Sequence, residues 1–248
     1  MNLQLASGQW FILSGFPYEL GIAYEIFVTE GYRPPERLEK SLVSRIVDVG
    51  SNVGYSIVYW ATHFPQARIE GFEPHPAHLD KLRRSITLND FADRVTVHGV
   101  AAGTAKSLGE LADRGPASAM TAEGQTSGTV KHNVVPIEVV DFFETVGEST
   151  IDLLKLDCEG GEFDLLMDPR FARLDVRNLV MEWHETPAHP EAERDLTERL
   201  SELGWEVEAR PELSTGPLSG TELMRAGLIW AFPASSERQL GQSFTLAT

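Results

Sequence analysis

The sequence predicts an α/β fold, a mostly parallel sheet with helices on both faces. Three observations carry this. Short β-type runs alternate with helical patterns from residue 44 onward, as βαβ units do. No apolar run approaches the ~20 residues of a membrane helix, so the apolar runs are core elements. A glycine-bearing loop joins the first of these strands to a helix, where such sheets hold ligands.

Residues 1–40 read as an irregular, aromatic-rich segment (Trp10, Phe11, Phe16, Tyr18, Tyr24, Phe27, Tyr32), closed by Pro34-Pro35. This segment is expected to pack on the domain, with Tyr18, Tyr24 and Tyr32 as candidate walls of an active site. Residues 41–234 form the domain proper. Strands are expected at 44–49 (SRIVDV), 67–72 (ARIEGF), 94–100 (RVTVHGV), 133–140 (NVVPIEVV), 151–157 (IDLLKLD), 179–183, 205–209 and 228–232. Pro136 marks 133–140 as an edge strand. Helices are expected at 55–64, at 76–89 with Leu79, Leu82, Ile86 and Asn89 at helical spacing, and at 190–203 with Gly204 as its cap. Residues 104–132 read as a polar loop insertion, a surface loop or a lid that brings His132 to the site. Residues 235–248 read as a tail.

The chain has 248 residues, 42% hydrophobic, enough for a sizeable core and against wholesale disorder. Its single cysteine, Cys158, excludes an internal disulfide and reads as inert core. The N-terminal residues lack the pattern of a signal peptide, so a reducing cytoplasm is expected. The net charge of −16 argues against a phosphate backbone as partner. A small-molecule acceptor is expected, with neither nucleic acid nor membrane.

The loop Asp48 to Gly54 (DVGSNVG) follows the first strand and opens a helix. Gly50 permits a tight turn and close ligand approach, and Gly54 permits close helix packing. Asn52 stands at the middle glycine position of the dinucleotide fingerprint, so a pyrophosphate is poorly served. S-adenosyl-L-methionine needs no phosphate groove and fits better. Glu73, followed by Pro74, ends the second strand 23 residues after Gly50, where an acid can accept both ribose hydroxyls. Asp157 and Glu159 emerge from another strand end before Gly160-Gly161, and His184 emerges from the next. Glu162 reads as a helix N-terminal acid.

These residues together resemble the FkbM family of S-adenosylmethionine-dependent methyltransferases, from about Tyr24 to Phe232. DVGSNVG resembles its first motif, GFEPHP its second, IDLLKLDCEGGEFDLL its most distinctive and VMEWH its last. The resemblance implies a class I methyltransferase (Rossmann-like) fold of seven strands, the last antiparallel. It implies a cofactor site of Asp48, Gly50, Ser51, Asn52, Gly54, Tyr55, Glu73, Pro74, Asn89, Ala101 and Asp157. Asp48, Gly50, Asn52 and Gly54 would line the methionine side, Glu73 would hold the ribose, and Asn89 and Ala101 would lie near the adenine or its support. Asp157 would lie near the methionine amino group and the methyl donor, with Glu159 and His184 facing the acceptor.

The family's acceptors point to O-methylation of a sugar or natural-product hydroxyl. His184, neutral at pH 7 with its ordinary pKa of roughly 6.5, is then the expected general base, with Asp157 or Glu159 orienting it or acting instead. No His-x-x-x-His spacing is present and no metal is expected, although Asp157, Glu159 and His184 could offer a hard site. The alternatives are N-methylation of an amine, a non-catalytic protein of the same fold, and a nicotinamide oxidoreductase, which the absent Tyr-x-x-x-Lys pair disfavours.

Overall fold

The computed structural model describes residues 2–4, 10–13, 19–112, 134–186, 188–210 and 225–234. Two short strands, β1 (Asn2–Gln4) and β2 (Trp10–Ile12), pair as a ribbon before α1 (Leu20–Phe27). The domain follows as β3 (Arg45–Val49), α2 (Tyr55–His63), β4 (Arg68–Phe72), α3 (Pro76–Leu88), β5 (Val95–His98), β6 (Ala101–Gly103), β7 (Ser107–Ala112), β8 (Val134–Asp141), α4 (Phe142–Val146), β9 (Leu153–Leu156), α5 (Gly161–Met167), β10 (Leu179–His184), α6 (Ala192–Glu202), β11 (Trp205–Ala209) and β12 (Ala226–Pro233).

The main sheet has seven strands in the order β11-β12-β10-β9-β3-β4-β5. β3, β4, β5, β9 and β10 run parallel, and β12 pairs antiparallel with both β10 and β11. The sheet therefore has seven strands with the last antiparallel, as expected. The chain winds outward from β3 through β4 to β5, then crosses back to β9 on the other side of β3. That reversal leaves a crevice beyond the carboxyl ends of β3 and β9.

Period-two alternation divides the strands between two cores. Ile46, Leu153 and Val180 face the layer of α1, α2 and α3, with Ile26, Phe27, Trp60, Leu82 and Ile86. Val47, Leu154, Leu156 and Met181 face the layer of α5 and α6, with Phe163, Leu166, Leu196 and Leu200. α6 ends where Gly204 takes φ +80°, the left-handed cap its position predicts.

Two expectations are corrected. The strand at 133–140 does not join the main sheet; β8 is the middle of a separate sheet, β6-β8-β7. Pro136 is still tolerated, because β6 pairs only with Val139 to Asp141, leaving Pro136 with a neighbour on the β7 side alone. The insertion at 104–132 begins as strand β7, not as loop, with Leu111 buried against Ile137 and Val139. Its sequence, SLGELA, shows no apolar alternation, so only the partner strand reveals it. The rest of that insertion with His132, Tyr18 and the 235–248 tail lie outside the described residues.

Candidate active site

The cofactor loop is held by backbone bonds and by one carboxylate. Gly50 and Ser51 donate their N–H groups to Phe72 O, at 3.0 and 2.9 Å. Gly50, Asn52 and Gly54 take φ of +78°, +49° and +87°. A Cβ on Gly50 would sit 1.6 Å from the Asp157 carbonyl oxygen, so only glycine lets the loop touch the end of β9. Glu73, 5% exposed, accepts from Asn52 N at 2.7 Å through Oε2 and from His75 N at 2.7 Å through Oε1. Each carboxylate oxygen keeps a lone pair for a further donor, as a ribose diol would supply.

The crevice gathers Gly50, Asn52, Glu73, Pro74, Ala101, Asp157 and Glu159 of the sequence-predicted set. It adds Phe72, His78, Ala102 and Leu111, an apolar and aromatic lining on the side of Glu73. The turn after β9 is clamped by Glu162, whose carboxylate accepts from the N–H groups of Cys158 and Gly160. This clamp holds Glu159 at φ +55°, a left-handed conformation uncommon for a residue with a side chain.

A polar line crosses the sheet beneath this crevice. Asp48 pairs in register with Lys155, both on the α1–α3 face, and alternation puts Glu182 and His184 on that face too. Lys155 is fully buried. Its Nζ donates to Gly50 O at 2.6 Å and lies 3.3 Å from Asp48 and 3.0 Å from Asp157. Burial would lower its pKa, but Asp157 and Asp48 raise it, so it stays charged. Tyr32 Oη donates towards Asp157 Oδ2 (3.0 Å) and Glu182 Oε2 (3.3 Å). His184 Nε2 stands 3.3 Å from Glu182 and 3.8 Å from Glu159. Asp157, Glu182 and His184 each place one ligand atom within 4.8 Å of the others, a set that could hold a cation.

The crowding of acids sets the charge states. Burial would depress His184, but the hydrogen bond to Glu182 and the charges of Glu159 and Asp157 outweigh it and raise its pKa to about 10. These acids favour the imidazolium over the neutral imidazole expected of His184, and an imidazolium has no lone pair to accept a proton. Burial, with Asp157 and Glu182, pushes Glu159 up to about 7. Burial, with Glu182 and Asp157, pushes Glu25 of α1 up to about 8. Lys155 holds Asp157 low despite its burial.

Several predicted residues stand apart from the crevice. Asp48 is wholly buried and accepts from Trp60 Nε1 at 2.9 Å, so it supports Lys155 from behind. Ser51 is buried, with its hydroxyl on Asp48 O at 2.9 Å. Gly54 meets Leu82 of α3, and Tyr55 packs against Phe27 with ring centroids 6.4 Å apart. Asn89 holds Ile12, accepting from its N–H and donating to its carbonyl, both at 2.8 Å. Tyr24 is 59% exposed and turns away. Lys155, Glu182 and Glu25 were absent from the sequence-based set. Lys155 and Glu182 did carry a signal, each a charged residue inside a strand whose neighbours are all apolar.

Comparison with known proteins agrees with this geometry. The FkbM methyltransferase domain family matches residues 48–206. The methyltransferase sdnD of Sordaria araneosa is 30% identical over 192 residues, 62% of this chain and 72% of sdnD. The antimetabolite synthetase AmbE of Pseudomonas aeruginosa is 27% identical over 238 residues, 76% of this chain, but this chain spans only 11% of AmbE. A transferase from Pyrococcus horikoshii shares the fold with a TM-score of 0.50 at 12% identity, over 94% of this chain and 72% of its own. With its sheet order, its loop and its strand-end acids in place, the chain belongs to the FkbM family of methyltransferases.

Proposed function

We propose that this chain methylates a hydroxyl of a small molecule, using S-adenosyl-L-methionine as donor. The observation that carries the reading is one crevice lined by the loop residues Gly50 and Asn52, by Glu73, and by Asp157 and Glu159. The residues fit the cofactor: a loop that admits no Cβ at Gly50, a ribose acceptor in Glu73 with lone pairs to spare, and an apolar bed of Phe72, Ala102 and Leu111. When bound, the cofactor supplies an already activated methyl group, and much of the rate can then come from positioning.

The chain's own task is to hold the acceptor in line and take its proton. Glu159 suits that task. It lines the crevice, and its pKa of about 7 leaves a carboxylate basic enough to accept a proton near neutral pH. His184, held as imidazolium by Glu182 and Glu159, orients Glu159 and balances its charge. Lys155 fixes Asp157 against the loop carbonyl of Gly50.

Calorimetric titration with S-adenosylmethionine tests the cofactor half. Micromolar binding that Glu73→Ala weakens supports it; no binding refutes it. Transfer of labelled methyl to hydroxylated acceptors tests the other half. Glu159→Gln should lower kcat by about 10²–10⁴-fold with cofactor affinity retained. Wild-type kcat in that variant would remove Glu159 from the role.

A further inference from the structure

Packing accounts for the ring of Tyr32 but not for its hydroxyl. Tyr32 is 3% exposed and lies on Trp60, with ring centroids 5.5 Å apart. A phenylalanine would bury the same ring surface. The hydroxyl instead reaches Asp157 Oδ2 at 3.0 Å and Glu182 Oε2 at 3.3 Å. It has one proton to give, and the shorter contact, to Asp157, takes it.

Asp157 is held on several sides. Its backbone N–H donates to Val49 O at 3.1 Å. Lys155 Nζ lies 3.0 Å from Oδ2, the oxygen that Tyr32 also uses. Lys155 is itself fixed by Gly50 O at 2.6 Å and Asp48 at 3.3 Å, and Asp48 accepts from Trp60 Nε1 at 2.9 Å. Trp60 therefore braces both donors, Tyr32 by ring contact and Lys155 through Asp48. Both donors converge on Oδ2, and among the described residues no hydrogen bond reaches Oδ1. The Asp157 side chain is 21% exposed and lines the crevice beside Gly50 and Asn52. The result is a carboxylate with one oxygen anchored and the other presented.

We propose that Tyr32 is a positioning residue for the cofactor: with Lys155 it holds Asp157 Oδ2, so that Oδ1 is aimed at the α-ammonium of S-adenosyl-L-methionine. The inference rests on the methyltransferase reading above. It gives a role to a residue that precedes the family-matched region, residues 48–206. A free carboxylate would lose rotamer freedom when the ammonium arrived, whereas an anchored one has already lost it on folding. The direction of Oδ1 also helps to set where the sulfonium and its methyl group lie, and in-line transfer depends on that placement.

Two ligands read the ammonium contact without knowledge of the acceptor. S-adenosylhomocysteine carries the α-ammonium, and 4-(adenosylthio)butyrate is the same molecule without its amino group. Calorimetry on the full chain should show wild type binding the first at least about tenfold tighter. Tyr32→Phe keeps the ring on Trp60 and should cut that preference by about fivefold, with affinity for the butyrate retained. In an Asp157→Asn background the same substitution should change the preference no further, because Tyr32 acts through Asp157. A preference that Tyr32→Phe keeps, an equal loss for both ligands, a further loss in the Asp157→Asn background, or a wild type without preference overturns the inference. Should Tyr32→Phe fail to fold, a crystal structure of the wild-type S-adenosylhomocysteine complex decides. It should place the ammonium about 3 Å from Asp157 Oδ1, with Oδ2 still on Tyr32. An ammonium bound elsewhere, or an Asp157 turned away from Tyr32, overturns it. If neither ligand binds wild type, the cofactor reading itself fails, and the inference with it.

Discussion

At the scale of single residues, the acids near His184 decide the chemistry. An isolated histidine at a strand end would be half neutral near pH 6.5. Glu182 at 3.3 Å and Glu159 at 3.8 Å raise it to about 10, which favours the imidazolium over the neutral ring. The same crowding makes Glu25 a stability liability at alkaline pH. Its folded pKa of about 8 lies above the ordinary 4.5, so the folded state binds the extra proton between those values. Stability therefore falls as pH rises from about 4.5 to 8. Glu25→Gln should match wild type in Tm near pH 4 and exceed it at pH 9; an unchanged difference across that range would show that Glu25 ionises freely.

At the scale of elements, the loop between β3 and α2 and the end of β9 are built against each other. Gly50→Ala should lose cofactor binding and lower stability, because its Cβ would overlap the Asp157 carbonyl at 1.6 Å. Retained micromolar binding would mean that the loop relaxes easily. Lys155 joins the same two elements from below. Lys155→Met should cost about 3–5 kcal/mol in urea unfolding, since Asp48 and Asp157 would be left as uncompensated charges. A loss below about 1 kcal/mol would show the pair to be weakly coupled.

At the scale of the whole molecule, the N-terminal segment is part of the site although it precedes the family-matched region. Tyr32, 3% exposed, packs on Trp60 with ring centroids 5.5 Å apart and reaches Asp157 and Glu182. α1 brings Glu25 to the same end and buries Ile26 and Phe27 on α2. β2 is fastened to α3 through Ile12 and Asn89. Asn89→Ala should cost about 1–3 kcal/mol, with cofactor affinity kept, because it removes amide bonds to Ile12 and Ser85 and Asn89 does not line the crevice. A loss of cofactor affinity without loss of stability would place Asn89 at the adenine instead.

Much of this was legible in the amino-acid sequence. The alternation of apolar runs specified the parallel sheet, since period-two and helical patterns bury different faces. The glycines at 50 and 54 and the acids at 73, 157 and 159 were legible because strand-end chemistry is local. Other features were decided by tertiary structure alone. The sequence cannot show that β8 leaves the main sheet, that Asn89 serves Ile12, that Tyr32 reaches Glu182, or that Glu25 feels the charges of Glu182 and Asp157. Nor can it show that His184 is charged, since a pKa is set by whichever charges the fold brings within a few ångströms, and here those come from α1, β9 and β10 together.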